Sequence, residues 1–246
     1  MIDRIGEIKT MNCGLKAKII KYKNCEDIDV QFEDGYIKKH VQYDKFKKGI
    51  IKNPYAITVY GIGFLGETKI VDESGIILKS YVCWRDMIKR CYDVKFQEKQ
   101  PTYKGVTVCK EWFCYANFKK WYDEHIYTIE NEMIQLDKDI LMNESKIYSP
   151  DTCILVPRTI NNLFRGYNKN KKELPKGISF HKLTNKYRVR FKSKYLGLYK
   201  TKEEAIEVYM EYSLREIRKI IYSYRDKIPN EVYLKLIENI DRTEGD

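Results

Sequence analysis

Ile28, Val30 and Phe32 alternate with Asp29, Gln31 and Glu33, and this period of two predicts a half-buried strand. Upstream, Leu15, Ala17 and Ile19 alternate with Lys16 and Lys18, which predicts a second strand of the same kind. Asp34-Gly35 follows the first pattern and predicts a tight two-residue hairpin turn. Short strands joined by tight turns suggest a small antiparallel barrel over residues 1–60. The "GIGFLG" of residues 61–66 has the spacing of a dinucleotide loop. Such a loop needs a strand before it, a helix opening at it and an acidic residue about 20 positions on at a second strand end; here the chain beyond it alternates and turns at Ser74-Gly75 like a hairpin, so dinucleotide binding is not expected.

The period then changes. Val82, Met87, Ile88 and Cys91 fall near helical spacing in "YVCWRDMIKRCYD", with Arg85, Lys89 and Arg90 off that face. "NFKKWYDEH" predicts a second short helix capped by Asn117, with a turn and short strand, "YKGVTVCKEW", between the two. Beyond the basic, polar linker "RGYNKNKKELPKG", broken by Pro175, three short strands are predicted in "GISFHK", "KYRVRFK" and "KYLGLYKT". Thr201 with Glu204 three positions on is a capping box and starts a helix whose Ala205, Val208 and Tyr209 share one face. A further helix is expected after Pro229. The reading is an α+β chain in three modules, 1–60, 61–165 and 175–246.

Composition narrows the partners. A net charge of +11 on 246 residues points to a polyanion, with duplex DNA first. With 43% hydrophobic and 13% aromatic residues the chain can fill real cores. The seven cysteines are scattered without a CxxC pair, and there is no signal-peptide pattern and no apolar run of the ~20 residues that span a bilayer. The expected home is a reducing cytoplasm, that of a bacterial host cell, away from membranes.

Trp84, Met87, Arg90, Cys91, Tyr92, Tyr103, Gly105, Val108, Cys109, Trp112, Phe118 and Trp121 carry the first half of a spaced signature. Leu136, Asp137, Asp139, Tyr148, Ser149, Pro150, Cys153 and Asn161 carry the second. Together they resemble a group of phage proteins of the HNH-like, ββα-metal type. The resemblance implies a hairpin and helix that hold one divalent cation and a general base. It places Asp137 at the ligand position, Lys138 at the base position, and Asn161 or Asn162 at the helix Asn, where no histidine follows. Two readings follow. Asp137, Asp139 and Asn161 can hold Mg²⁺ as an oxygen-only site, with His125 or a metal-bound water as base. Alternatively the site is degenerate, Asp137 and Asp139 serve as turn or cap residues, and the fold only binds. Cys91, Cys109 and Cys153 recur in the same signature and can hold structural Zn²⁺ with His125 or Cys114; buried thiols are the simpler reading.

"KYRVRF" followed by "YLGLYKTKEEA" resembles an AP2 DNA-binding domain, which implies a three-stranded sheet backed by a helix, its open face against DNA. The alternation agrees: Tyr187, Val189 and Phe191 point one way, Arg188, Arg190 and Lys192 the other. His181 or Lys182 and Lys194 or Tyr195 are placed near that basic face. The "MNCGLKAKIIKY…IDVQFEDG" stretch resembles an SH3-like or KOW-like module.

Together these predict a phage-type DNA-binding protein with a degenerate HNH-like fold and an AP2-like reader, binding rather than cutting. The alternatives are a Mg²⁺-dependent, homing-type DNA endonuclease and a phage inhibitor of a host nucleic-acid-binding protein or defence complex.

Overall fold

The computed structural model describes residues 4–141, 145–164, 174 and 177–245. Most of the expected linker, including Pro175, lies outside them. The chain is α+β and divides into two compact units, Met1–Glu124 and His125–Asp246. The division falls inside the 61–165 stretch. Among the described residues no helix is long and apolar enough to cross a membrane.

The first unit opens with β1 (Ile8–Thr10), β2 (Lys16–Asn24), β3 (Asp27–Phe32) and β4 (Ile37–Val41), an antiparallel meander in that order. Ala17 and Ile19 of β2 join Ile28, Val30 and Phe32 of β3 and Phe46 of α1 (Tyr43–Lys47) in one buried cluster. The β3–β4 turn is one residue longer than the two-residue form expected from Asp34-Gly35. Phe32 N–H donates to Tyr36 O at 2.8 Å, so Glu33, Asp34 and Gly35 make the loop. The Asp34 carboxylate accepts the Tyr36 N–H at 3.1 Å and stabilises the longer turn.

A second, aromatic core follows. α2 (Lys79–Tyr92) buries Trp84, Met87, Ile88 and Cys91. α3 (Val94–Lys99) and the two-residue strand β5 (Thr107–Val108) lead to α4 (Tyr115–His125). Trp84 Nε1 donates to Trp112 O at 2.7 Å, and Trp112 meets Phe118 edge to face at 5.0 Å. These contacts satisfy the indole's only donor while burying its ring. Asn117 sits inside α4, where its Nδ2 donates to Glu111 O at 2.9 Å, so it is not the expected cap. The "GIGFLG" stretch serves packing: Phe64 pairs with the backbone of Phe113 and Tyr115, and a Cβ at Gly66 would meet Cys114 Sγ at 2.7 Å. The glycine is needed for that close approach.

In the second unit β6 (Ile134–Asp137), the short β7 (Ile147–Tyr148) and β8 (Ile154–Pro157) precede α5 (Arg158–Phe164). β6 and β8 pair antiparallel, Asp137 opposite Ile154. Next come β9 (Ile178–His181), β10 (Lys186–Phe191) and β11 (Lys194–Tyr199), a sheet in the order β11-β10-β9. α6 (Lys202–Tyr222) and α7 (Asn230–Gly245) complete the unit. Thr201 Oγ1 accepts the Glu204 N–H at 3.2 Å and Glu204 returns to the Thr201 N–H at 3.3 Å, the capping box expected from sequence.

α6 serves two cores. Its first half gives Ala205 and Tyr209 to a cluster with Ile178 and Val189 of the sheet. Its second half gives Leu214, Ile217 and Ile221 to a cluster with Ile154, Val156 and Ile160, and with Leu236 and Ile240 of α7. Gly177 leads into β9 at φ +109°, with its backbone against β10: a Cβ there would lie 2.2 Å from Arg190 O.

Candidate nucleic-acid interface

Which side chains share a face of the β9–β11 sheet follows from register, because residues directly opposite one another point the same way. Tyr187 pairs with Phe180 and with Tyr199, and Val189 with Ile178 and Gly197. This is the α6 side, where Val189 is buried and Tyr187 and Phe191 pack against the cluster. On the other side Lys186 stands opposite His181, Arg188 lies between Ser179 and Leu198, and Arg190 stands opposite Tyr195. Arg190 is exposed and Tyr195 is 52% exposed. The register shift after Val189 leaves Leu196 as the extra residue on β11, and this lets Arg190 and Tyr195 meet without breaking the alternation.

The outer face therefore carries Lys186, Arg188 and Arg190 along one strand, flanked by His181 and Tyr195. Among the described residues the ion pairs of this unit lie elsewhere, at Lys138–Asp139 and on α6 and α7. Among the described residues, three cations thus share a sheet face with no carboxylate bridged to them, a self-repelling arrangement that a polyanion would relieve. Lys192 departs from the sequence reading. It lies beyond the end of β10, in the turn, at φ 51°, with Nζ 5.8 Å from the Phe191 ring centre. Lys194 starts β11 and places Nζ 4.9 Å over the Tyr212 ring, which Arg215 also covers at 4.9 Å. Lys182 is exposed in the β9–β10 loop. Toward its Arg190 end this face is not fully open: Arg188, Arg190 and Lys192 line a cleft of about 550 Å³ with Asn162 of α5 and Tyr209 and Ser213 of α6.

In the ββα candidate β6 pairs antiparallel with β8, with the short β7 between them in sequence, and β8 runs directly into α5. Its side chains are engaged as follows. Asp137 Oδ1 accepts the N–H groups of Asp139 at 2.8 Å and Ile140 at 2.9 Å, a turn-closing role. Burial pushes the Asp137 carboxyl up from its ordinary range, while those two N–H bonds pull it down. Lys138, at the expected base position, is buried; its Nζ donates to Asp139 and to Ser145 O at 2.6 Å. An ammonium used as a double donor has no lone pair for a substrate proton. Asn161 is 1% exposed; its Nδ2 donates to Gln135 Oε1 at 3.0 Å, and its Oδ1 is buried with no hydrogen-bond partner. His125 ends α4 and lies close enough to Glu231 to help lower that carboxyl, behind the larger effect of Lys235.

Among the described residues the one group of three His, Cys, Asp or Glu side chains close enough to share an ion is Asp27, Asp29 and His40, in the first unit. Asp137, Asp139 and His125 form no such group, nor do Cys91, Cys109 and Cys153. Cys91 and Cys153 are buried thiols, and burial raises Cys109 from its ordinary value. Sequence reasoning missed the Asp27–Asp29–His40 group. Asp-x-Asp on one strand, with a histidine on the next strand of the same hairpin, was the available signal. Asp27 Oδ1 meets His40 Nδ1 at 2.9 Å and Asp29 Oδ1 accepts the His40 N–H at 3.0 Å. The three therefore bond one another, bracing a backbone held at φ 55° at His40.

Comparison with family models, with curated proteins and with solved structures found no match.

Proposed function

We infer that this chain binds duplex DNA through the outer face of β9–β11, and that its β6–β8–α5 element is a degenerate HNH-like unit that binds rather than cuts. The observation that carries the reading is the register that lines Lys186, Arg188 and Arg190 along one face while α6 closes the other. Arginine on such a face holds phosphate or reads guanine edges. On this reading the β9–β11 sheet with α6 is the AP2-like reader, and the β1–β4 meander is the SH3-like or KOW-like module. The reducing cytoplasm of a bacterial host cell is the compartment this reading implies.

The test is fluorescence anisotropy with a labelled 40-base-pair duplex. Wild type is expected to bind, and Arg188→Ala/Arg190→Ala to lose about 1–3 kcal/mol per arginine that contacts a base edge, and less for one on phosphate. Equal binding by wild type and the double variant would remove this face as the interface. Absence of DNA binding at low salt would favour the remaining alternative, occupation of a host protein's nucleic-acid groove.

One observation favours a cutting reading: the buried, unpartnered Asn161 Oδ1 beside the hairpin. On that reading Asp137, Asp139 and Asn161 would hold Mg²⁺, which would stabilise the charge that develops on a scissile phosphate. Nicking of supercoiled plasmid with Mg²⁺ or Mn²⁺, abolished by Asp137→Ala, would establish it.

A further inference from the structure

The β9–β10 loop carries the most exposed large apolar side chain among the described residues. Leu183 is 93% exposed, against 69% for Val94, the next. One exposed leucine on a surface is ordinary. This one is held out by a braced turn. Thr184 N–H donates to His181 O at 3.2 Å, which closes a four-residue turn with Lys182 and Leu183 at its two central positions. His181 Nδ1 meets Thr184 Oγ1 at 2.8 Å across the same turn, and Asn185 takes the left-handed φ of 51° that returns the chain to β10. Behind the turn Phe180 and Tyr187 pair edge to face at 5.2 Å and stiffen the hairpin. The tip is preorganised, and it holds its leucine in water.

Its position gives the exposure a use. Along β10 the outer-face cations run Arg190, Arg188, Lys186, two residues apart. The row ends beside His181, opposite Lys186, at the base of this turn. Leu183 stands immediately beyond that end, next to exposed Lys182. A polyanion lying along the cationic row therefore meets, at the row's end, an apolar side chain with nothing of its own to pack on. Besides the thymine methyls that line its major groove, duplex DNA offers one extended apolar surface, the stacked faces of its base pairs. Proteins that reach it insert a leucine-sized wedge between two pairs and offset the unstacking by backbone contacts.

We propose that Leu183 is a DNA wedge: it enters a base-pair step at the edge of the sheet's footprint, partly unstacks it and bends the duplex. The inference rests on the DNA-binding reading above. The cationic row grips the backbone on one side of the opened step, and the braced turn spares the loop backbone the entropy of being ordered on binding. Steps that unstack readily, pyrimidine followed by purine, are the preferred sites. The role is distinct from holding phosphate, because Leu183 has no charge or polar side-chain atom to offer.

Opening a step untwists the helix, so the test reads linking number on a whole plasmid and needs no knowledge of a target sequence. The full chain is incubated with relaxed plasmid and a nicking-closing topoisomerase, the protein is removed, and the topoisomers are resolved by electrophoresis. A gel shift on linear fragments of the same plasmid runs in parallel. Wild type is expected to leave the plasmid underwound in proportion to protein added. Leu183→Ala is expected to bind within about twofold of wild type, since phosphate contacts dominate affinity, and to leave the linking number unchanged. Leu183→Met, a comparable wedge, is expected to restore the shift. A Leu183→Ala variant that underwinds the plasmid as wild type does overturns the inference, as does wild-type binding without a change in linking number. Failure of the wild type to bind the fragments at all overturns the DNA reading itself, and this inference with it.

Discussion

Asp137 separates a carboxylate kept for structure from one kept for chemistry. Its Oδ1 takes two backbone N–H groups, and an asparagine Oδ1 can take the same two. Asp137→Asn is therefore expected to fold within about 1 kcal/mol of wild type, and Asp137→Ala to lose about 1–3 kcal/mol, because two partly buried donors lose their acceptor. Urea denaturation of the two variants measures this, and equal losses would count against the turn-closing role. The pH dependence has a definite sign. Burial raises the folded carboxyl above its unfolded value, so its contribution to stability is full below the unfolded value and is lost as pH rises through the folded one. The stability of Asp137→Asn relative to wild type should therefore rise with pH across the acid range. The sequence pointed to Asp137 and Asn161 as a pair of interest but not to their partners. Gln135, two positions before Asp137 on β6, holds the Asn161 amide, and only the strand–helix packing discloses that.

At the scale of elements, patterned segments were legible and short ones were not. β3, β9 and β10 alternate strictly in sequence, and α6 has both a capping box and an apolar stripe, so local signals agree with tertiary demand. β1 and α1, of three and five residues, are too short to display a period; neighbours hold them, as when Gly6 N–H bonds Ile19 O and Phe46 closes the meander's core. Lys192 shows another limit. Alternation carried it onto the outer face, but its left-handed φ ends the strand at Phe191. The capping box gives a direct prediction. Thr201→Ala leaves the Glu204 N–H without its acceptor, and a loss of about 0.5–2 kcal/mol is expected in chemical denaturation, with Thr201→Ser close to wild type.

For the whole molecule, charge and topology carry different messages. On the DNA-binding reading the surplus of +11 calls for a salt-sensitive partner but does not say where it would sit. The proposed grip is the face that register assembles, and a slope tests it. If Arg188 and Arg190 both meet phosphates, log K against log salt should flatten by about 2 in the double alanine variant, at roughly 0.9 per contact. An unchanged slope, read by anisotropy across a salt series, would assign them to base edges or to no contact. The two-unit division was hidden from sequence because the basic linker looks like a boundary, while apolar positions before and after it meet in one core: Val156 and Ile160 with Ile217, Ile221 and Ile240. The helix that joins these cores, α6, is 21 residues long, about 32 Å. It is at once the floor of the β9–β11 sheet and a wall of the hairpin core. Such a beam cannot be shortened from one end without unroofing the other. Whatever its chemistry, the hairpin has to be kept for the sheet to stand, as a building keeps a chimney that has become part of its frame.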